Sequence, residues 1–206
     1  MEATKIFSVA FIGLLAAISP GPDFVIVARN CISGTFRSGF LTSLGVACAL
    51  LVHVSYCLLG IAVIIMESVW LFNFLKYFGS AYLLYLGISI LKEVSFSSDT
   101  VKVSTDAITT DYQSFSSGFL CNLLNPKATL FVLSLFSQFI DPTMGIYQKA
   151  ILGSIFPLVV FVWFVTLSYF LTHPFLRVHF ARFQHIITKI MGFVLCLLSI
   201  YVAFIS

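Results

Sequence analysis

The sequence predicts an all-α membrane protein with six transmembrane helices, arranged as two inverted three-helix repeats in which the first helix is broken at proline. Two observations carry the prediction of membrane helices. Only 9% of the 206 residues are charged and 60% are hydrophobic, whereas a soluble domain is about a quarter charged. Six apolar segments also have the roughly 20 residues that a helix needs to cross a bilayer. A third observation, proline-rich breaks inside two of these segments, predicts the broken helices.

The six segments fall into two halves with a polar stretch between them. Residues 1–92 form the first predicted repeat, with segments at about 5–28, 39–66 and 69–91. Residues 93–115 are rich in Ser, Thr and Asp, and we interpret them as a flexible linker. Residues 116–206 form the second predicted repeat, with segments at about 116–140, 146–171 and 186–205.

The first segment of each half contains a break, at residues 19–23 and at residues 122–128. Proline has no N–H, and its ring clashes with the carbonyl four residues earlier. In lipid, such backbone is tolerated only where it is buried in protein or faces a wet cavity. The prolines that break these helices are Pro20, Pro22 and Pro126.

Each break is followed by residues that favour a new helix. Ser19 can act as N-cap with Pro20 at the first helical position, and Asn125 with Pro126 repeats this arrangement. The two half-helices would then direct their positive dipole ends at a shared site near the middle of the membrane.

Matching landmarks favour duplication of a three-helix unit. Pro20 and Pro126 lie in the first helix of each half, Gly45 and Gly153 lie early in the second, and a Lys-x-x-Gly pattern opens the third. Three helices per unit is an odd number, so the two halves must have opposite topology. Inverted repeats are typical of transporters and place the substrate site at the repeat interface.

Basic residues predict the orientation. The cytoplasmic side of a membrane protein is enriched in Lys and Arg. The side that bears the linker would hold six such residues, and the opposite side only Lys5 and Lys149. We therefore predict a cytoplasmic linker and two periplasmic termini. The six are Arg29, Arg37, Lys92, Lys102, Arg177 and Arg182.

Three ionisable residues within the predicted spans are candidates for function, because charge at membrane depth is costly. Asp23 is interpreted as a proton-coupling group or as a contact for a substrate amino group, or else as a partner of the helix dipole. The charge of Lys127 opposes its helix dipole, which favours an anionic partner, either Asp23 or a substrate carboxylate. The alternative for Lys127 is snorkelling to the headgroups. His53 is interpreted as a neutral packing residue, with a proton relay as the alternative.

The predicted substrate site consists of polar residues at the two breaks. We find no catalytic set, metal cluster or nucleotide-binding loop in the sequence, so we predict neither an enzyme nor a cofactor. A carrier of thiol electrons would need paired cysteines near the prolines, and only Cys121, near Pro126, meets this condition. The predicted substrate-binding residues are Ser19, Gly21, Asp23, Asn122, Asn125 and Lys127, and the proton-coupling candidates are Asp23 and His53.

Several motifs together resemble the LysE/RhtB family of bacterial amino-acid exporters. They comprise Ser-Pro-Gly-Pro-Asp at 19–23 with Arg-Asn at 29–30, and the stretches 79–87, 118–128 and 138–142. The resemblance covers nearly the whole chain apart from the linker. It implies a multi-pass exporter in the bacterial inner membrane, driven by the proton gradient, and members export lysine, arginine, threonine, homoserine, leucine and other small metabolites.

The partners we expect are an amino-acid substrate, protons and the lipid bilayer, with no nucleic acid; a homodimer is left open. Export of another small solute, or of a cation through Asp23, stays open as an alternative.

Overall fold

The computed structural model describes residues 3–19, 21–33, 35–67, 69–92, 110–140, 144–173, 189–190, 192–197 and 199–200. Within these residues all regular structure is helical, which confirms the predicted all-α class. The residues between 189 and 200 that are described are also helical. The principal helices are α1 (Ala3–Ile18), α2 (Pro22–Ser33), α3 (Phe36–Glu67), α4 (Val69–Lys92), α5 (Asp111–Leu123), α6 (Pro126–Phe139) and α7 (Ile146–Thr172).

Two of the described helices are long and apolar enough to cross a bilayer by themselves, α3 over Phe36–Gly60 and α7 over its whole length. Two further helix pairs reach that length as bent units: α1 with α2, bent by 63°, and α5 with α6, bent by 61°. The described residues therefore contain two membrane spans, or four when each bent pair counts as one. Half of the predicted sixth segment and most of the linker lie outside the described residues, and the six-span inverted repeat stays a prediction.

The helix that follows the first break begins two residues later than predicted. The Val25 N–H donates to the Gly21 carbonyl at 3.0 Å, so Gly21 is the N-cap and Pro22 is the first helical residue. Ser19 still belongs to the end of α1, because its N–H donates to the Leu15 carbonyl at 3.3 Å. The predicted start, with Ser19 as cap and Pro20 first, is therefore wrong; Pro20 itself lies outside the described residues. Pro22 suits the first helical position, where the missing N–H costs nothing.

The fourth helical segment begins before its apolar stretch. The predicted segment starts at Ser116, but α5 starts at Asp111. The Thr110 hydroxyl caps the helix by accepting from the Gln113 N–H at 3.2 Å, and Asp111 complements the dipole in the first turn. These polar residues extend the helix past the edge of the apolar segment.

Helix α3 packs closely against α5, with glycine at the contact on both sides. A Cβ atom added to Gly45 would lie 2.2 Å from the Phe115 carbonyl oxygen, and one added to Gly118 would lie 2.1 Å from the Thr42 carbonyl oxygen. Only glycine permits this approach of two backbones. The contact joins a helix of the first half to one of the second.

Hydrogen bonds between helices fix the direction of α5 relative to its neighbours. Arg37 pairs with Asp111 at 2.5 Å where α3 and α5 begin, so these two helices run parallel. Helix α2 runs antiparallel to α5, because Asp23 lies beside Asn122 and Asn30 lies beside Ser117. The broken helix of the first half therefore runs opposite to that of the second half where the two meet.

Candidate functional site

The two helix breaks line one partly open cavity. Its polar wall comes from the breaks themselves, and its apolar wall comes from α1, α2, α3, α6 and α7. The structure brings all the predicted substrate-binding residues together in the polar wall, although they come from stretches about 100 residues apart. These residues are Ser19, Gly21, Asp23, Asn122, Asn125 and Lys127.

Asp23 lies in the first turn of α2 and reaches across to the second break. Its Oδ2 atom accepts hydrogen bonds from the side-chain amides of Asn122 at 3.0 Å and Asn125 at 3.2 Å. Its Oδ1 atom is buried and has no hydrogen-bond partner among the described residues. Burying an unpaired carboxylate oxygen is costly, so the cavity presents an oxygen that a proton or an ammonium group would satisfy.

Lys127 belongs to the second break and contacts the first break. It lies in the first turn of α6, and its ammonium donates to the Ser19 hydroxyl at 3.2 Å. The same Nζ atom lies 3.3 Å from the position of a Cβ atom added to Gly21. Lys127 therefore reaches the first break while Asp23 reaches the second. The nearby carboxylate of Asp23 at the same cavity favours a cation here, whereas the N-terminus of a helix disfavours one.

Asn125 forms the N-cap of α6, as predicted. Its Oδ1 atom accepts from the Lys127 N–H at 3.0 Å, and its carbonyl accepts from the Thr129 N–H at 3.2 Å. Pro126 at the first helical position has no N–H. The amide of Lys127 is therefore occupied by the cap and is not free to bind a substrate. Ala128, whose amide belongs to the same first turn, lines the cavity.

His53 lies behind the second break and does not contribute to the cavity wall. It is 1% exposed, and its Nε2 atom lies 3.1 Å from the Asn122 carbonyl oxygen, whose helical partner is removed by Pro126. Because a carbonyl can only accept, Nε2 carries the proton. In the neutral ring, Nδ1 then accepts from the hydroxyl of Tyr56 or of Thr129. The same carbonyl accepts from the Asn125 N–H at 2.9 Å, so His53 adds a further hydrogen bond to the carbonyl at the break.

The family model for LysE type translocators matches residues 14–205 of this chain. The chain belongs to this family. The match confirms the resemblance in the motifs and makes the protein a translocator rather than an enzyme. No solved structure matches the chain significantly.

Several curated relatives align with this translocator over most of its length. A membrane protein of Bacillus subtilis named YrhP and described as uncharacterized is 33% identical and covers 89% of this chain and 91% of its own. The threonine efflux protein of Salmonella typhi is 29% identical over 85% of this chain and 86% of its own. The leucine efflux protein of Salmonella choleraesuis is 34% identical over 63% of this chain and 60% of its own.

The translocator also contains a polar cluster that the sequence analysis missed. Asn30 is buried two turns beyond Asp23 on α2, and its side-chain amide donates to the hydroxyls of Thr42 at 2.8 Å and Ser117 at 2.9 Å. The cluster links α2, α3 and α5 on the side where α3 and α5 begin. Asn30 follows Arg29 two turns after Asp23, and nothing in the local sequence indicates which residues it contacts.

Proposed function

We propose that this translocator exports a small amino acid from the cytoplasm of a bacterium across the inner membrane by proton antiport. The observation that carries the proposal is that two side chains of opposite charge, Asp23 and Lys127, line the cavity where the two breaks meet. A zwitterion needs both charges at short separation. The names of the relatives, which specify efflux of threonine or of leucine, support an amino-acid substrate.

The geometry suggests how a zwitterion would be held. Its ammonium group would bind the Oδ1 atom of Asp23, which has no hydrogen-bond partner in the described part of the chain. Its carboxylate would bind between the Lys127 ammonium and the Ala128 amide at the N-terminus of α6, where the helix dipole favours an anion. Both partners line the same cavity.

Competition at Asp23 provides a route to antiport. The same carboxylate oxygen can bind a proton or the ammonium group of the substrate, but not both together. A proton that arrives from outside would release the substrate, and loss of that proton to the cytoplasm would restore the site. His53 is the second proton-coupling candidate, and it contacts the site only through the Asn122 carbonyl.

We further propose that residues 1–92 and 116–206 form two inverted repeats, joined by a cytoplasmic linker at 93–115, with both termini periplasmic. The antiparallel course of α2 and α5 and the parallel course of α3 and α5 support this arrangement. Alkaline phosphatase fused after Ser206 should be active, and the same enzyme inserted in the linker should be inactive. The opposite result would reverse the orientation.

Export is tested in cells with and without the gene. Both strains are fed dipeptides, which raise the intracellular pool of each amino acid, and the amino acids in the medium are measured over time. The strain with the gene should release at least one amino acid faster, and a protonophore should slow this release. Release that is equal in both strains for every amino acid would refute the proposal. A Cys121→Ser variant should export normally, whereas loss of export would indicate thiol chemistry.

A further inference from the structure

The cavity is lined by two chemically different sets of side chains. The polar groups belong to the two breaks, where Asp23 and Lys127 lie. The rest of the wall is formed mainly by apolar side chains that are each 2–4% exposed. These side chains are Phe24, Leu50, Phe131, Phe156, Val160 and Phe164.

The apolar side chains of the cavity wall are held in place by close packing. The ring of Phe156 lies against Gly13 of α1, where an added Cβ atom would be only 2.6 Å from the ring. The rings of Phe131 and Phe156 pack with centroids 5.8 Å apart. This packing keeps the apolar residues of the wall in place. Their side chains have no polar group that could bind a ligand.

The polar groups Asp23, Lys127 and the Ala128 amide match the backbone groups of an amino acid. Asp23 accounts for the substrate ammonium, and Lys127 with the Ala128 amide accounts for its carboxylate. The side chain of the substrate must then extend along the apolar wall. A hydroxyl placed there loses its hydrogen bonds to water without replacement, and a second ammonium group would be buried without a counter-ion.

We propose that the exported substrates are neutral amino acids with apolar side chains, of the size of leucine, isoleucine, methionine or phenylalanine. This inference rests on the proposed function and narrows its substrate class. One additional substrate methylene group that packs well in an apolar pocket raises the preference for that substrate by about 10- to 200-fold. Leucine should therefore be exported in preference to threonine, and lysine should not be exported.

The first test measures the substrate range of the unaltered protein. Cells that express the gene receive dipeptides that supply leucine, methionine, threonine or lysine, and export of each is compared with cells that lack the gene. Export of leucine and methionine at least about tenfold faster than threonine is expected. Export of threonine or lysine at an equal or higher rate would overturn the substrate class while leaving amino-acid export intact. Export of no amino acid would overturn the proposed function itself.

The second test uses a matched pair of variants on α7. Val160→Thr adds a hydroxyl to the cavity wall without changing the side-chain shape, and Val162→Thr makes the same change at a residue that is 55% exposed. Val160→Thr should reduce the leucine-to-threonine export ratio about tenfold, and Val162→Thr should leave it unchanged. Equal ratios in two variants of wild-type abundance would show that Val160 does not contact the substrate side chain. If Val160→Thr does not accumulate, the substrate range of the unaltered protein still decides the proposal.

Discussion

The two helix breaks have the same shape and opposite chemistry. Their bends are 63° and 61°, and each restarts with proline at the first helical position. The first break is capped by Gly21, which has no side chain, and is followed by an acid, Asp23. The second is capped by Asn125, whose side chain makes two hydrogen bonds, and is followed by a base, Lys127.

This difference shows that neither break is complete alone. The carboxylate of Asp23 is held by two amides of the second break, and the ammonium of Lys127 is held by a hydroxyl of the first. Each break therefore contributes a charged side chain that is bound by the other break, and these contacts hold the two breaks together. As a result, one carboxylate and one ammonium group lie at the same cavity. Two identical breaks could not provide both groups.

The largest effect is expected when the acid of the first break is neutralised. Asp23→Asn should reduce export against a substrate gradient about 100-fold, because an amide binds neither a proton nor an ammonium group as a carboxylate does. Downhill exchange should survive better, since the amide oxygen can still accept a hydrogen bond. Export into substrate-rich medium, with and without a protonophore, measures both effects.

The matched control is Asp111→Asn, because the Asp111 side chain is exposed and pairs with Arg37 away from the cavity. This variant should export normally. If Asp23→Asn still pumps uphill and remains sensitive to the protonophore, Asp23 is not the coupling group and His53 becomes the next candidate.

Removal of the base from the second break should have the next largest effect. Lys127→Met loses a charge-assisted contact worth about 1.5–3 kcal/mol, so half-maximal export should need roughly 10- to 100-fold more intracellular substrate. Lys127→Arg should retain part of the function. Lys149→Met, the same substitution at the start of α7, should change nothing. Equal export by the variants at positions 127 and 149 would exclude a substrate contact for Lys127.

The same substitution at the two caps compares the breaks directly. Asn125→Ala should lower the free energy of unfolding by about 1 kcal/mol through loss of the cap, and it also removes a partner of Asp23. At Gly21 the φ angle is not positive, and an added Cβ atom meets only the flexible end of Lys127, so Gly21→Ala should cost less. Thermal unfolding in detergent measures both variants, and an equal loss at the two positions would contradict the difference between the caps.

The smallest effect is expected at His53, which supports only the second break. His53→Gln retains a donor for the Asn122 carbonyl and should lower export only a few-fold, with an unchanged pH profile. His53→Leu should cost about 1 kcal/mol of stability, because the carbonyl keeps fewer partners. Export measured across pH distinguishes the roles, since a shifted profile in the Gln variant would identify His53 as a proton carrier.

The sequence was sufficient to predict the all-helical class and the two broken helices, because apolar length and proline position are local signals. It located the start of α6 correctly, since one capping residue precedes one proline there. At the first break two prolines compete for the first helical position, and the local sequence did not decide between Pro20 and Pro22. Polar residues at both breaks were easy to select, because half-helix ends in a membrane must face protein or a cavity.

The partners of those residues could not be predicted. The contacts of Asp23 with Asn122 and Asn125 join residues 99 and 102 positions apart, and His53 meets Asn122 from 69 positions away. Such pairings depend on which face each helix turns inward. A membrane helix that is apolar on all sides carries little periodic signal for that face, so neither the role of His53 nor the Asn30 cluster could be read from the sequence.

The contact at Gly45 and Gly118 has a mechanical consequence. Where two backbones touch, neither helix can slide along the other without forcing main-chain atoms past each other, and the glycines leave no flexible side chain to yield. We therefore expect α3 and α5 to behave as one strut that spans both halves of the chain. This strut carries Leu50 and Asn122 of the cavity wall. The cavity would then open by movement of other wall helices, such as α1, relative to this fixed support.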